Sequence, residues 1–335
     1  MLTNKTVNAV LAVIFVFSLF LTACGGTNTA TQAPATDSAS KPADKSTEAP
    51  TGNKMRSIET PKGTIQIPDK PQRIVTDYYA GELIAVGGNV IGAETEAFKS
   101  PFTVEQLKNA QDVGSPRINV EKTLELAPDL IVVMYDDNYE ALSKIAPTVY
   151  LPYGTATNIY DTVKLFGDVV GDKEKADKFI ADFDKKAAWG REKLKGIVDE
   201  NATVGLYELT NKGDLWIFGD HAGRGGQTVY NALKLKMPHA DKSKEQTVQL
   251  AMETLPEYAA DYMFVTFYNP EKNSEALKTL QESAVWNATP AAKNNQIFYN
   301  DYDTFYRYDP IAITAHIDMF VDMLIKRHEE NKGKK

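Results

Sequence analysis

The chain has 335 residues, with 45 acidic against 37 basic side chains, a formal net charge of −8 and one cysteine. A lone cysteine excludes an internal disulfide or a thiolate metal site in a monomer, and the acidic balance argues against nucleic acid as a partner. The length allows an ample core without covalent staples. At the start, Lys5 precedes an apolar run from Val7 to Leu21 that Asn8 and Ser18 interrupt. Its 15 residues fall short of the about 20 needed to span a bilayer, so it reads as the apolar part of an export signal.

Directly after the run, Leu21-Thr22-Ala23-Cys24-Gly25 resembles the lipobox of bacterial lipoproteins. The resemblance implies a signal peptide over 1–23 and lipid on Cys24; a short membrane anchor with an incidental cysteine is the other reading. From Thr27 to about Met55 the chain is mostly Thr, Ala, Ser, Pro, Lys and Asp with no aromatic residue, which cannot bury a core. Residues 24–55 are therefore expected to be a disordered tether, with folding beginning near Arg56.

In the folded part, Thr64–Pro68 and Pro71–Thr76 read as strands, Glu82–Val86 as helix and Val90–Gly92 as a strand. Val120–Leu126 is helical, and Leu130–Met134 is a continuous apolar strand of the buried parallel kind. Ala176, Phe179, Ile180, Phe183, Ala187, Gly190, Leu194 and Ile197 then recur at helical spacing, predicting a helix over 173–199, roughly 40 Å long. The alternation restarts with strands at Val204–Leu209 and Leu215–Phe218 and helices at Gln227–Leu233 and Leu255–Ala259. Strands at Tyr262–Phe267 and Gln296–Tyr299 and a helix at Ile311–Arg327 complete it. The fold class is α/β: two lobes with mostly parallel sheets joined by one long rigid helix, with a ligand cleft between them. The expected bounds are 56–171, 172–199 and 200–328; a single α/β domain with an ordinary surface helix also fits the pattern.

Ligands of α/β folds bind outside the carboxyl ends of strands. The residues there are Tyr78, Tyr79, Tyr135 and the loop Ser115–Asn119 with Arg117, then Tyr207, the loop Gly219–Gly226 with His221 and Arg224, and Tyr302 through Tyr306-Arg307-Tyr308. The glycine-rich loop lacks the Gly-Lys-Ser/Thr ending of a nucleotide P-loop and the dinucleotide spacing; its plain reading is a tight turn with a solvated arginine. The four histidines, His221, His239, His316 and His328, show no metal-ligand spacing, so direct capture of zinc or manganese is not expected. No Gly-x-Ser-x-Gly elbow is present, and the chain is not read as an enzyme.

Ile67-Pro68 with Pro71-Gln72-Arg73-Ile74-Val75, Gly114–Glu121 and Leu126–Ile131 resemble the iron-siderophore and cobalamin class of substrate-binding proteins. Gly219–Gly226 and Tyr306–Pro310 are similar to the ferric-hydroxamate-binding lipoproteins of Gram-positive bacteria, and the likeness covers nearly all of 58–328. It implies two lobes on one rigid helix, an arginine contact to ligand at Arg224 and an aromatic cluster at Tyr302, Tyr306 and Tyr308. Where relatives commonly carry a tryptophan, two positions before that arginine, this chain has Ala222. Arg117 and Arg307 add positive charge as in relatives that take citrate-based siderophores.

The likeness also places permease-docking glutamates at Glu121 and Glu253 and implies an ABC permease with a cytoplasmic ATPase as partner. The expected receptor is a monomer on the extracytoplasmic face of the membrane, with no cofactor of its own. Its cargo would be an iron(III) siderophore of hydroxamate or mixed citrate-hydroxamate type. The siderophore itself would fill the six positions around iron, leaving arginines to bond its electron-rich oxygens and aromatic faces to cover its skeleton. A cobalamin or haem carrier is the alternative within the class, with Tyr135 or Tyr306 as the haem ligand; a cell-envelope enzyme is the alternative outside it. Arg224, as a loop-tip residue, is expected to matter little for stability.

Overall fold

The computed structural model describes residues 54–238, 245–267 and 275–334. The expected leader, Cys24, His239 and all but the last two residues of the expected tether lie outside them. The described chain opens on an antiparallel hairpin of β1 (Met55–Thr60) and β2 (Gly63–Pro68). β1 turns a single apolar residue inward, Ile58, and so leaves no alternation to read in the sequence.

The first sheet has the order β5-β4-β3-β6-β7 and is parallel throughout. Its strands are β3 (Ile74–Thr76), β4 (Val90–Ala93), β5 (Gln111–Asp112), β6 (Leu130–Val133) and β7 (Thr148–Tyr150). Short helices connect them: α1 (Ala80–Ala85), α2 (Val120–Glu125) and α3 (Tyr139–Leu142). The chain leaves β3 toward β4 and β5, then returns to the other side for β6 and β7, so the order reverses between β3 and β6. That switch point is where a ligand crevice opens in such sheets.

Two helices follow. α4 (Ile159–Val170), absent from the sequence reading, buries Val163, Phe166 and Val170 and stops at Gly171, whose φ of +76° suits the left-handed cap. α5 (Lys173–Leu194) is capped by the Asp172 side chain and spans 22 residues, about 33 Å. It is shorter than the 173–199 expected because Lys195 is extended and Gly196 turns left-handed at φ +73°. At Gly190 an added Cβ would stand 2.6 Å from Leu233 Cδ2 and 2.9 Å from Ile317 Cγ2, so the missing side chain permits a close helix crossing.

The second sheet repeats the first one's order as β10-β9-β8-β11-β12. Its strands are β8 (Val204–Leu209), β9 (Leu215–Phe218), β10 (Thr247–Leu250), β11 (Tyr262–Phe267) and β12 (Ile297–Asp301). Here β9 runs antiparallel to both its neighbours, while β8, β11 and β12 are parallel. Helices α6 (Leu255–Tyr258), α7 (Glu275–Glu282), α8 (Ala284–Asn287), α9 (Pro290–Lys293) and α10 (Tyr302–Phe305) lead to the final α11 (Pro310–Lys332). Gln227–Ala232, expected as an α-helix, is a wider π-helical turn.

One apolar cluster runs from Leu83 and Leu130 through Phe166 and Phe183 to Phe264 and Phe320, taking in both sheets and α4, α5 and α11. The two sheets are thus joined by a common core as well as by α5. Among the described residues no helix is long and apolar enough to cross a membrane.

Candidate functional site

At the switch point of the first sheet, the Asp77 carboxylate accepts the amide hydrogens of Met134 at 2.7 Å and Tyr135 at 3.1 Å, tying the end of β3 to the end of β6. Burial raises the Asp77 carboxyl to about 7 against the pull of these two amides. The tie sets the direction of Tyr78 and Tyr79, which enter the space between the sheets. There the Tyr78 hydroxyl meets that of Tyr308 at 2.5 Å, and Tyr79 donates to the Leu151 carbonyl at 2.5 Å. Burial holds both phenols far above their ordinary value.

These groups line a cavity of about 260 Å³, with Tyr78, Tyr79 and Met134 from one side and His221, Gln246 and Tyr308 from the other. A smaller space of about 40 Å³ shares Tyr78, Glu82 and Tyr308 and adds Tyr306 and Arg307. The cleft is bridged twice: through the paired hydroxyls of Tyr78 and Tyr308, and through Arg307, which donates to the Glu96 carbonyl. Gln227 adds a buried tie by accepting the Ile159 amide hydrogen at 2.6 Å, at the start of α4.

Arg224 is not a solvated loop tip. Its Nε donates to Glu208 Oε2 at 2.5 Å, and the two side chains are 13% and 12% exposed. The guanidinium lies 4.5 Å from the Phe218 ring centre and 4.7 Å from that of Tyr306, which itself stacks on Tyr302 at 4.8 Å. Arg224 takes a left-handed φ of +67° and Gly225 one of +98°, so the loop turns sharply at the arginine. Gln246 fixes the loop's other end by accepting the amide hydrogen of His221 at 2.7 Å. Burial pushes the Tyr302 phenol up to about 12, with Arg224 pulling it down.

The structure thus gathers Tyr78, Tyr308 and His221 around the larger cavity, Tyr306 and Arg307 around the smaller, and Arg224 with Tyr302 behind Tyr306. Tyr207 stands apart, which corrects the expectation. It is fully buried, its hydroxyl donates to the Tyr258 carbonyl at 2.5 Å, and it packs with Leu255 and Trp286 on the sheet face opposite Val204 and Leu206. Side chains alternate along a strand, so Glu208 is the residue that β8 turns toward Arg224. A charged residue inside the apolar run Val204–Leu209 is a signal that could have marked it, since a buried charge needs a partner. Arg117 is exposed and paired with Asp137 at 2.7 Å, and Tyr135 is 38% exposed. His316 is interior, its Nε2 2.9 Å from the Thr304 carbonyl and its ring stacked on Phe305, and burial lowers it to about 4.

Glu121 and Glu253 are both exposed. Glu121 lies in the first turn of α2, whereas Glu253 sits in the turn just before α6 rather than within a helix. Each stands nine residues before the first residue of its strand, Leu130 of β6 or Tyr262 of β11, and those strands hold the same place in their sheets. The two carboxylates are therefore at topologically matched positions.

Residues 74–304 match the model of the family described as periplasmic binding protein. The chain is 50% identical over 318 residues to the iron(3+)-hydroxamate-binding protein YxeB of Bacillus subtilis (strain 168), covering 94% of this chain and 95% of that one. It is 32% identical over 273 residues to the iron(3+)-hydroxamate-binding protein FhuD of the same organism, covering 79% and 84%. The structure of FhuD2 from Staphylococcus aureus with bound ferrioxamine B aligns with a TM-score of 0.68 at 26% identity, over 77% of this chain and all of that one. A matched pair of sheets with one reversal each, an aromatic cleft between them, and a family pattern covering both place this chain in the periplasmic binding protein family.

Proposed function

We propose that this protein is the substrate-binding lipoprotein of an ABC importer and that it captures an iron(III) siderophore of hydroxamate or mixed citrate-hydroxamate type. The observation that carries the reading is the cleft itself. Tyr78, Tyr306 and Tyr308 offer aromatic walls, and Arg224 and Arg307 supply fixed cations beside them. Such a lining suits a cargo whose iron is already wrapped in oxygens and whose outer surface mixes carbon skeleton with residual negative charge. Half-identity to a protein named for iron(3+)-hydroxamate binding supports the same chemistry.

In this reading Cys24 carries the lipid that holds a monomer on the extracytoplasmic face of the membrane. The matched Glu121 and Glu253 present one carboxylate from each lobe to basic residues of a two-fold permease, whose cytoplasmic ATPase drives import. The protein performs no chemistry on its cargo. The test is tryptophan-fluorescence titration of the detergent-solubilised chain with ferrioxamine, ferrichrome, schizokinen, ferric citrate and haem. Saturable quenching by a ferric hydroxamate at nanomolar levels is expected. Tight binding of haem with no response to any siderophore would overturn the reading.

A further inference from the structure

The cleft holds an acidic side chain that the capture of an electron-rich iron complex does not use. Glu82, in the first turn of α1, is 6% exposed and lines both cavities. Its carboxylate accepts no hydrogen bond from any other described residue. The hydroxyls nearest in the lining are engaged elsewhere, Tyr78 with Tyr308 and Tyr79 with the Leu151 carbonyl. Asp309, packed against α1 at Gly81, spends its Oδ1 on the amides of Ile311 and Ala312 at the start of α11. Arg307 is the cation that acts on both acids, and it donates to the Glu96 carbonyl. Glu94, 6% exposed and also in the smaller lining, feels the same cation, so three enclosed acids share one guanidinium. Burial, and after it Asp309, push Glu82 up to about 8.

The walls beside Glu82 are rings. Tyr78 meets Tyr79 edge to face at 5.5 Å and lies 6.3 Å from Tyr308. A carboxylate at the end of an aromatic enclosure is the arrangement that holds an ammonium ion, through a charge-assisted hydrogen bond and the attraction of a cation to ring faces. The Tyr306 ring that packs on Arg224 also lines the smaller space onto which Glu82 opens. A fixed cation and a buried acid therefore lie in one cleft.

We propose that Glu82 is the receptor for a protonated amine on the cargo, so that the cleft selects ferric hydroxamates bearing a free ammonium over those whose end is acylated. This rests on the siderophore-binding reading above. Ferrioxamine B, which ends in a primary amine, and its N-acetyl derivative share the same iron core and serve as probes. The titration is run at about pH 9, above the raised Glu82 value and below that of an aliphatic ammonium. There the amine form should bind roughly 10- to 150-fold more tightly than the acetylated form, the range for a hydrogen bond to a charged group. The preference should shrink toward about pH 6 as Glu82 takes up its proton. Glu82→Gln, which keeps the side-chain size, should bind the two forms alike.

Equal affinities in the wild-type protein would overturn the proposal and leave the siderophore reading intact, and this arm needs no variant to fold. Persistence of the amine preference in Glu82→Gln would overturn it as well. If wild type bound neither probe while taking up no other hydroxamate, the siderophore reading would fall and the proposal with it.

Discussion

Arg224 donates through Nε to Oε2 of Glu208 at 2.5 Å, from the loop after β9 to the carboxyl end of β8. Both side chains are largely out of water, so the pair holds the guanidinium against Tyr306 and Phe218. Removing one partner of a buried pair strands the other's charge, which typically costs about 3–5 kcal/mol. Arg224→Ala is therefore expected to lower stability by that order, unlike the mild change anticipated for a loop tip. It should also weaken ferric-hydroxamate binding roughly 10- to 150-fold. Denaturant unfolding and fluorescence titration check the two effects separately. A variant with wild-type stability and affinity would falsify the role given to the pair.

Asp77 supplies a pH dependence. Its carboxyl is raised from an ordinary 3.8 to about 7 by burial, so the native state holds a proton that the unfolded chain has released between those values. Its favourable contribution is complete below about pH 4 and is lost as pH rises through 7, at about 1.4 kcal/mol per pH unit within the window. In Asp77→Asn this dependence is absent. Thermal midpoints of the two proteins, compared from pH 4 to pH 8, should show wild type losing ground to the variant as pH rises. A constant difference would contradict the shift.

The matched places of Glu121 and Glu253 predict a loss of import without a loss of binding. Changing both to Ala should abolish uptake of iron-labelled siderophore in cells lacking other receptors, with affinity in solution unchanged. Both side chains are exposed and removed from the cavity lining, so stability should move by less than about 0.5 kcal/mol. Wild-type uptake by the double variant would remove the docking assignment.

Cys24 carries the prediction about the anchor. Cys24→Ala should leave the protein unprocessed at the lipidation step, with its apolar leader still attached, and no lipid should be incorporated on metabolic labelling; detergent partitioning of the labelled protein checks it. Labelled lipid on the Cys24→Ala protein would place the anchor elsewhere.

Periodicity made much of this architecture legible. The apolar runs Leu130–Val133, Val204–Leu209 and Tyr262–Phe267 became central strands, and the helical spacing from Ala176 to Leu194 became α5, because burial on a sheet or a helix face repeats at a fixed interval along the chain. β1 buries one apolar side chain and leaves no pattern to read, whereas α4 does carry one, with Ile159, Val163, Phe166 and Val170 at helical spacing, and it went unread. The cleft residues Tyr78, Tyr306, Tyr308 and Arg224 could be named from their motifs, but their partners could not. Tyr78 meets Tyr308 across 230 positions, and Glu82 shares its enclosure with Asp309 from the far end of the chain. A local period carries no record of such contacts, which arise when two lobes close on a common core. The pleat shows the limit at single-residue scale. Sequence marked β8 as a strand, but the packing of its two faces decided that Tyr207 would lie in the core and Glu208 would hold the arginine.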